Sequence, residues 1–156
     1  MTARLLVVLF LLGSAAGCGV RSSSRTAEWM VLVREASVGA DRTRARGDLA
    51  GARGLLIGFA RSPGPAGVAP EDSRAVRMDA YFRLAMLELE DASPQAARQW
   101  AEQGLALGDR RDVFTANLHL AHGRALEALG VDLEAQASYH RALVVTEALL
   151  GTVLDK

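Results

Sequence analysis

The chain has 156 residues, 18 basic and 18 acidic side chains, no formal net charge and a hydrophobic half. Charge neutrality excludes a nonspecific nucleic-acid binder, whose affinity rests on a surplus of Lys and Arg facing phosphates. A single cysteine excludes a disulfide framework, and a mix rich in Ala, Leu, Arg, Glu and Gly with few aromatics favours helix over strand.

The first element is an export-type segment: Met1 to Arg4 supplies a basic start, Leu5 to Leu12 an apolar run, and Gly13 to Gly17 a stretch of small residues. It ends at Cys18. Ala15-Ala16-Gly17-Cys18 resembles the lipobox of bacterial lipoproteins, with Ala15 where that family prefers Leu. The resemblance implies that residues 1–17 are a signal peptide and that Cys18 receives a diacylglycerol and an acyl chain such as palmitate. It also implies that the protein is anchored to the membrane facing the periplasm, with Gly19 favouring the outer membrane over the inner. An ordinary secretory signal, leaving Cys18 as a free thiol, is the competing reading. A membrane-spanning helix is disfavoured because Leu5 to Val20 reaches about 24 Å, short of a hydrocarbon core of about 30 Å. Residues 18–26, with Ser22 to Ser24 between Arg21 and Arg25, read as a lipidated flexible tether, and residues 27–156 as one helical domain.

Within that domain the apolar periodicity predicts three helical hairpins. The first runs from Val33 to Phe59, preceded by Trp29 and Met30, and turns near Gly47. A loop from Arg61 to Glu71 follows, rich in Gly and Pro. The second hairpin runs from Met78 to Arg111, with Ser93 as an N-cap and Pro94 as the first residue of its second helix. A surplus stretch, Arg111 to Phe114, leads to the third hairpin, Ala116 to Leu149. There Leu118, Ala121, Ala125, Leu126 and Leu129 keep helical spacing as far as Gly130, and Asp132 suits the N-cap of the last helix. The C-terminal helix continues nearly to Leu154.

The order of small and large residues in the third hairpin, Gly123, Leu126, Gly130, Ala135, Tyr139 and Ala142, resembles the tetratricopeptide repeat of about 34 residues. Tyr81, Leu84, Ala85, Ala97 and Gly104 fill matching places in the second hairpin, and Ala40, Gly47 and Ala52 in the first. His119 and His122 replace the usual Trp and Leu, no Pro closes the third unit, and Trp100 stands one place early. The fold class is therefore all-α, a tetratricopeptide-repeat-like stack of about three hairpins, with an antiparallel helical bundle as the alternative.

Catalytic chemistry finds no motif in this sequence. The Gly/Pro loop at 62–70 lacks the Lys and Ser/Thr of a phosphate loop and follows no strand. His119 and His122, three apart on one helical face, are the nearest thing to metal spacing. They fall at packing positions, so no metal or other cofactor is assigned. The runs Arg42 to Arg46 and Asp109 to Asp112 read as solvated faces or turns.

The expected role is non-enzymatic. Repeats of this kind are, by resemblance, protein-interaction modules whose first helices line a groove. Carrying the groove positions over gives Arg34, Asp41 and Arg44 from the first hairpin, Asp79, Phe82, Met86 and Leu89 from the second, and Asn117, Leu120, Arg124 and Glu127 from the third. Phe82, Met86 and Leu89 form an apolar stripe that either binds a partner or packs internally. The expectation is a membrane-tethered adaptor or scaffold for a protein partner in the periplasm or outer membrane. The alternative is a structural envelope lipoprotein with no groove ligand.

Overall fold

Helical periodicity broken by glycines and capping residues becomes six α-helices in the computed structural model, which describes residues 18–154, with side chains from residue 24. They are α1 Cys18–Ala45, α2 Leu49–Arg61, α3 Pro70–Glu90, α4 Pro94–Leu105, α5 Val113–Ala128 and α6 Asp132–Leu154. The signal-type segment 1–17 and the side chain of Cys18 lie outside what is described. Among the described residues no helix is long and apolar enough to cross a membrane.

The protein is all-α. Successive helices pair as three hairpins, α1 with α2, α3 with α4 and α5 with α6, and the hairpins stack in chain order through α2 on α3 and α4 on α5. First helices also meet directly where α3 packs on α5. By contrast, among the described helices α2 is the only extensive partner of α1. One apolar core runs through the stack, from Ala40 of α1 through Ala52 and Leu56 of α2 and Met78, Tyr81 and Leu84 of α3 to Leu118 of α5. Its small residues permit close approach. A Cβ on Gly123 would stand 2.6 Å from the Tyr139 ring, so the α5·α6 contact depends on hydrogen at that position.

The expected turns form, with informative departures. Gly47 and Gly130 adopt left-handed φ of 82° and 73°, which an L side chain resists. Asp48 caps α2 by accepting from the Gly51 N–H at 2.8 Å. Pro94 opens α4, but the Ser93 hydroxyl donates back to the Asp91 carbonyl rather than capping the helix. Asp132 is the first helical residue and not the cap, since the Ala135 N–H already bonds to the Val131 carbonyl. Its carboxylate acts there on the positive end of the helix dipole. The surplus expected at Arg111 to Phe114 is taken up earlier: Asp112 caps α5 through the Thr115 N–H at 2.8 Å, so Val113 and Phe114 are already helical.

The segment expected as a tether, 18–26, is helical, because α1 starts at Cys18 and continues unbroken into the first hairpin. No proline interrupts it, and Trp29 fixes α1 by burying its ring against the 62–69 loop, where a Cβ on Gly64 would come within 3.2 Å of it.

Ala92, between α3 and α4, has φ 52° and is the only non-glycine residue in the left-handed region among those described. An L side chain there costs about 1–2 kcal/mol. Ala92→Gly relieves that strain but loosens the unfolded chain, so a net gain of about 0.5–1 kcal/mol is expected. A rise in the urea midpoint with an unchanged slope would report it.

Candidate functional site

The first helices of the first two hairpins leave a cleft of about 300 Å³ between them. Helix α1 contributes Ala40, Asp41 and Arg44, α2 places Leu56 at the floor, and α3 supplies Asp79, Phe82, Arg83, Met86 and Leu87. The lining follows from helical spacing. Asp79, Phe82, Arg83 and Met86 lie three or four apart on one face of α3, and Ala40 and Arg44 four apart on α1. Apolar side chains make the floor and charged ones the rim.

Arg83 ties the rim across the cleft. Its Nε donates to Asp79 Oδ2 at 2.7 Å, and its Nη1 donates to the two Asp41 oxygens at 3.1 and 3.2 Å. Burial alone would lower the Arg83 pKa, but the two carboxylates outweigh it and hold the guanidinium charged. Further along, Arg44 donates to Glu90. These pairs are partly exposed and contribute little to stability, so their main effect is to fix the rim geometry.

Of the residues expected to form a groove, Asp41, Arg44, Asp79, Phe82 and Met86 converge in this cleft. Phe82 and Met86 line the cleft and also pack internally, against buried Ala85, Ala101 and Ala121. Arg34 is exposed on α1 outside the cleft, and Leu89 is half-buried at the end of α3 without lining it. The third hairpin stays out as well. Asn117 and Leu120 are half-buried, Arg124 reaches only the Met86 sulfur at 3.9 Å, and Glu127 accepts from the Tyr139 hydroxyl. Burial and that carboxylate push the Tyr139 pKa up to about 12. Ala40, Leu56, Arg83 and Leu87 were not among the expected groove residues. Arg83 carried a signal, being four residues beyond Asp79.

Behind the cleft, buried Glu88 joins three helices. Its oxygens accept from Arg53 Nε at 2.7 Å and Nη2 at 3.0 Å, and from Trp100 Nε1 at 3.3 Å. Arg53 also reaches Asp91 at 3.0 Å.

His119 and His122 occupy the α5 packing face as expected. His119 is 5% exposed, with Nδ1 buried and unpaired. The Nδ1 of His122 meets the Ser138 hydroxyl at 2.8 Å, while its Nε2 stands 3.6 Å from Glu102, too far for a hydrogen bond. Among the described residues no three His, Cys, Asp or Glu side chains are placed to hold a metal ion. Burial is the largest influence on both histidines and lowers both pKa values below the usual 6.5, with Asp109 opposing it at His119 and Glu102 at His122. The unfolded chain therefore takes up protons near pH 6.5 that the folded state refuses, and stability falls as pH falls through that range. A melting temperature that drops between about pH 7 and pH 5, with part of the drop abolished by His119→Leu, is the expected result.

Compared with known protein families, with characterised proteins and with solved structures, the chain shows no match.

Proposed function

We propose that this protein is a lipid-anchored adaptor of the bacterial envelope, in which a tetratricopeptide-repeat-like stack holds a protein partner near the membrane. The observation carrying this reading is the cleft: it draws residues from α1, α2 and α3, across two hairpins, into one apolar floor with a charged rim. Such a surface suits a partner segment that inserts an aliphatic or aromatic side chain between Phe82 and Leu56. The anchor rests on the lipobox resemblance at Cys18.

Two experiments test the two halves separately. Metabolic labelling with an alkyne fatty acid should mark the wild type and not Cys18→Ser, and equal labelling would remove the anchor. Met86→Glu, at a half-buried position, should lose a partner captured by cross-linking in cells while keeping its helical circular dichroism. An unchanged cross-linked product would remove the cleft.

The second reading, a structural lipoprotein without a groove ligand, is favoured by one observation: Asp41, Asp79 and Arg44 are all satisfied within the chain. It predicts that no cross-linked product depends on Met86.

A further inference from the structure

Helix α1 carries charges that the rest of the described chain does not answer. Its ion pairs belong to Asp41 and Arg44, whereas exposed Arg34, Glu35 and Arg42 have none among the described residues. These three lie on the side of α1 turned away from buried Trp29 and Ala40, together with Val31 and Val38, which are 51% and 48% exposed. Exposed Ala27 and Ala45 continue the line of the two valines in both directions. At about 100° per residue, Arg34 falls on one side of this apolar stripe and Glu35 and Arg42 on the other. Asp41, which Arg83 already holds, falls on the Arg34 side.

We infer that two copies of this protein pair through α1, side by side and parallel, about a two-fold axis that runs along the stripe. The charges identify the occupant as a second copy, because the pattern is its own complement. A two-fold axis along the helix sets the Arg34 side of one copy against the Glu35 side of the other at the same height. Each Arg34 then meets the Glu35 of the other copy, each Arg42 meets an Asp41, and valines and alanines fill the levels between them. Glu28, farther round the helix, falls opposite the Ser23 position, so no like charge opposes it. An antiparallel pair centred on Val38 also matches signs, Arg34 to Asp41 and Glu35 to Arg42, but it overlaps only residues 31–45. The parallel pair overlaps α1 from end to end, and α1 has 28 residues where its partner α2 has 13. Ala40 and Arg44 face the cleft from a different side of α1, so pairing leaves the cleft open. The parallel sense also sets both Cys18 residues at one end, which suits the proposed anchor without depending on it. A contact made by the same face of both copies closes at two.

Sedimentation equilibrium of the full-length protein in detergent micelles tests this. The protein mass of the wild type should rise with concentration and level off at two copies. Val38→Glu, at an exposed position, should raise the dimer dissociation constant about tenfold or more with unchanged circular dichroism, because two carboxylates would face each other across the stripe. Arg34→Glu and Glu35→Arg should each weaken pairing as well, and the double exchange should restore it, since the two signs have only traded places. A wild type that is monomeric at every concentration would overturn self-association, and a mass that climbs past two copies would overturn the closed contact. Wild-type pairing by Val38→Glu would overturn the stripe as the interface. A double exchange as weak as the single ones would overturn the parallel sense, because an antiparallel pair would then set glutamate against Asp41 and arginine against Arg42.

Discussion

Leu118→Ala is expected to lower the free energy of unfolding by about 3–5 kcal/mol, the upper range for a leucine emptied from a closed core. Leu118 is fully buried and belongs to the core that runs from the first hairpin into the third, so the loss falls at a junction between hairpins. Its surroundings make the effect dissectible. A Cβ on Gly104 of α4 would stand 2.5 Å from Leu118 Cδ2 and 3.0 Å from Tyr81 Cβ. Gly104→Ala alone should therefore overpack the junction at a cost of about 1–3 kcal/mol, despite the better helix propensity of alanine. In the Leu118→Ala background the same methyl enters the vacated space, and Gly104→Ala should recover part of the loss. Urea unfolding of the four proteins gives the coupling energy, and simple additivity would show that the two sites do not share that space.

Glu88→Ala is the second large effect, expected at about 3 kcal/mol. Glu88 is 6% exposed and accepts from Arg53 of α2 and Trp100 of α4, so its removal leaves a part-buried guanidinium and a part-buried indole N–H short of an acceptor. Arg53 keeps Asp91 and some access to water, which holds the cost below that of a fully buried orphan charge. Glu88→Gln should cost less, about 1–2 kcal/mol, since an amide oxygen still accepts. If removal of one partner is what hurts, the double variant Arg53→Met with Glu88→Leu should return close to wild-type stability. Equal destabilisation of the single and double variants in denaturant melts would contradict that account.

Much of this architecture is legible in the sequence because its punctuation is local. Gly47, Gly130 and Pro94 act through their own backbone preferences and mark three turns without knowledge of the tertiary structure. The helix starts are less legible. Pro70 looks like part of a Gly/Pro loop but opens α3, and Asp112 looks like one charge in a turn but caps α5 while accepting from Arg74 at 2.6 Å. Burial raises the Asp112 pKa, yet the Thr115 N–H and Arg74 outweigh it and leave it lowered, which only the folded geometry reveals. Five cleft residues could be named in advance because positions carried over from the repeat resemblance fall on the faces of α1 and α3 that line it. Leu56 and Leu87 could not, because they line the cleft only through the way α1, α2 and α3 come together in the fold. Glu88 had a signal of another kind: it takes the packing place that Leu126 holds in the following hairpin, where a charge demands a partner.

Among the described helices α1 packs extensively on α2 alone, its other ties being Trp29 against the 62–69 loop and the ion pairs of Asp41 and Arg44 with α3. Helix α3 is held by α2, α4 and α5, so its amides should exchange with solvent only on near-global unfolding, whereas α1 can detach in a smaller, more frequent opening. Each such event carries away Ala40, Asp41 and Arg44, one wall of the cleft, and breaks the bonds from Arg83 to Asp41. On that expectation the cleft lasts only as long as α1 stays docked. Native-state hydrogen exchange should show α1 less protected than α3. Anything seated between α1 and α3 would act as a clamp, visible as slowed exchange along α1 with little change elsewhere.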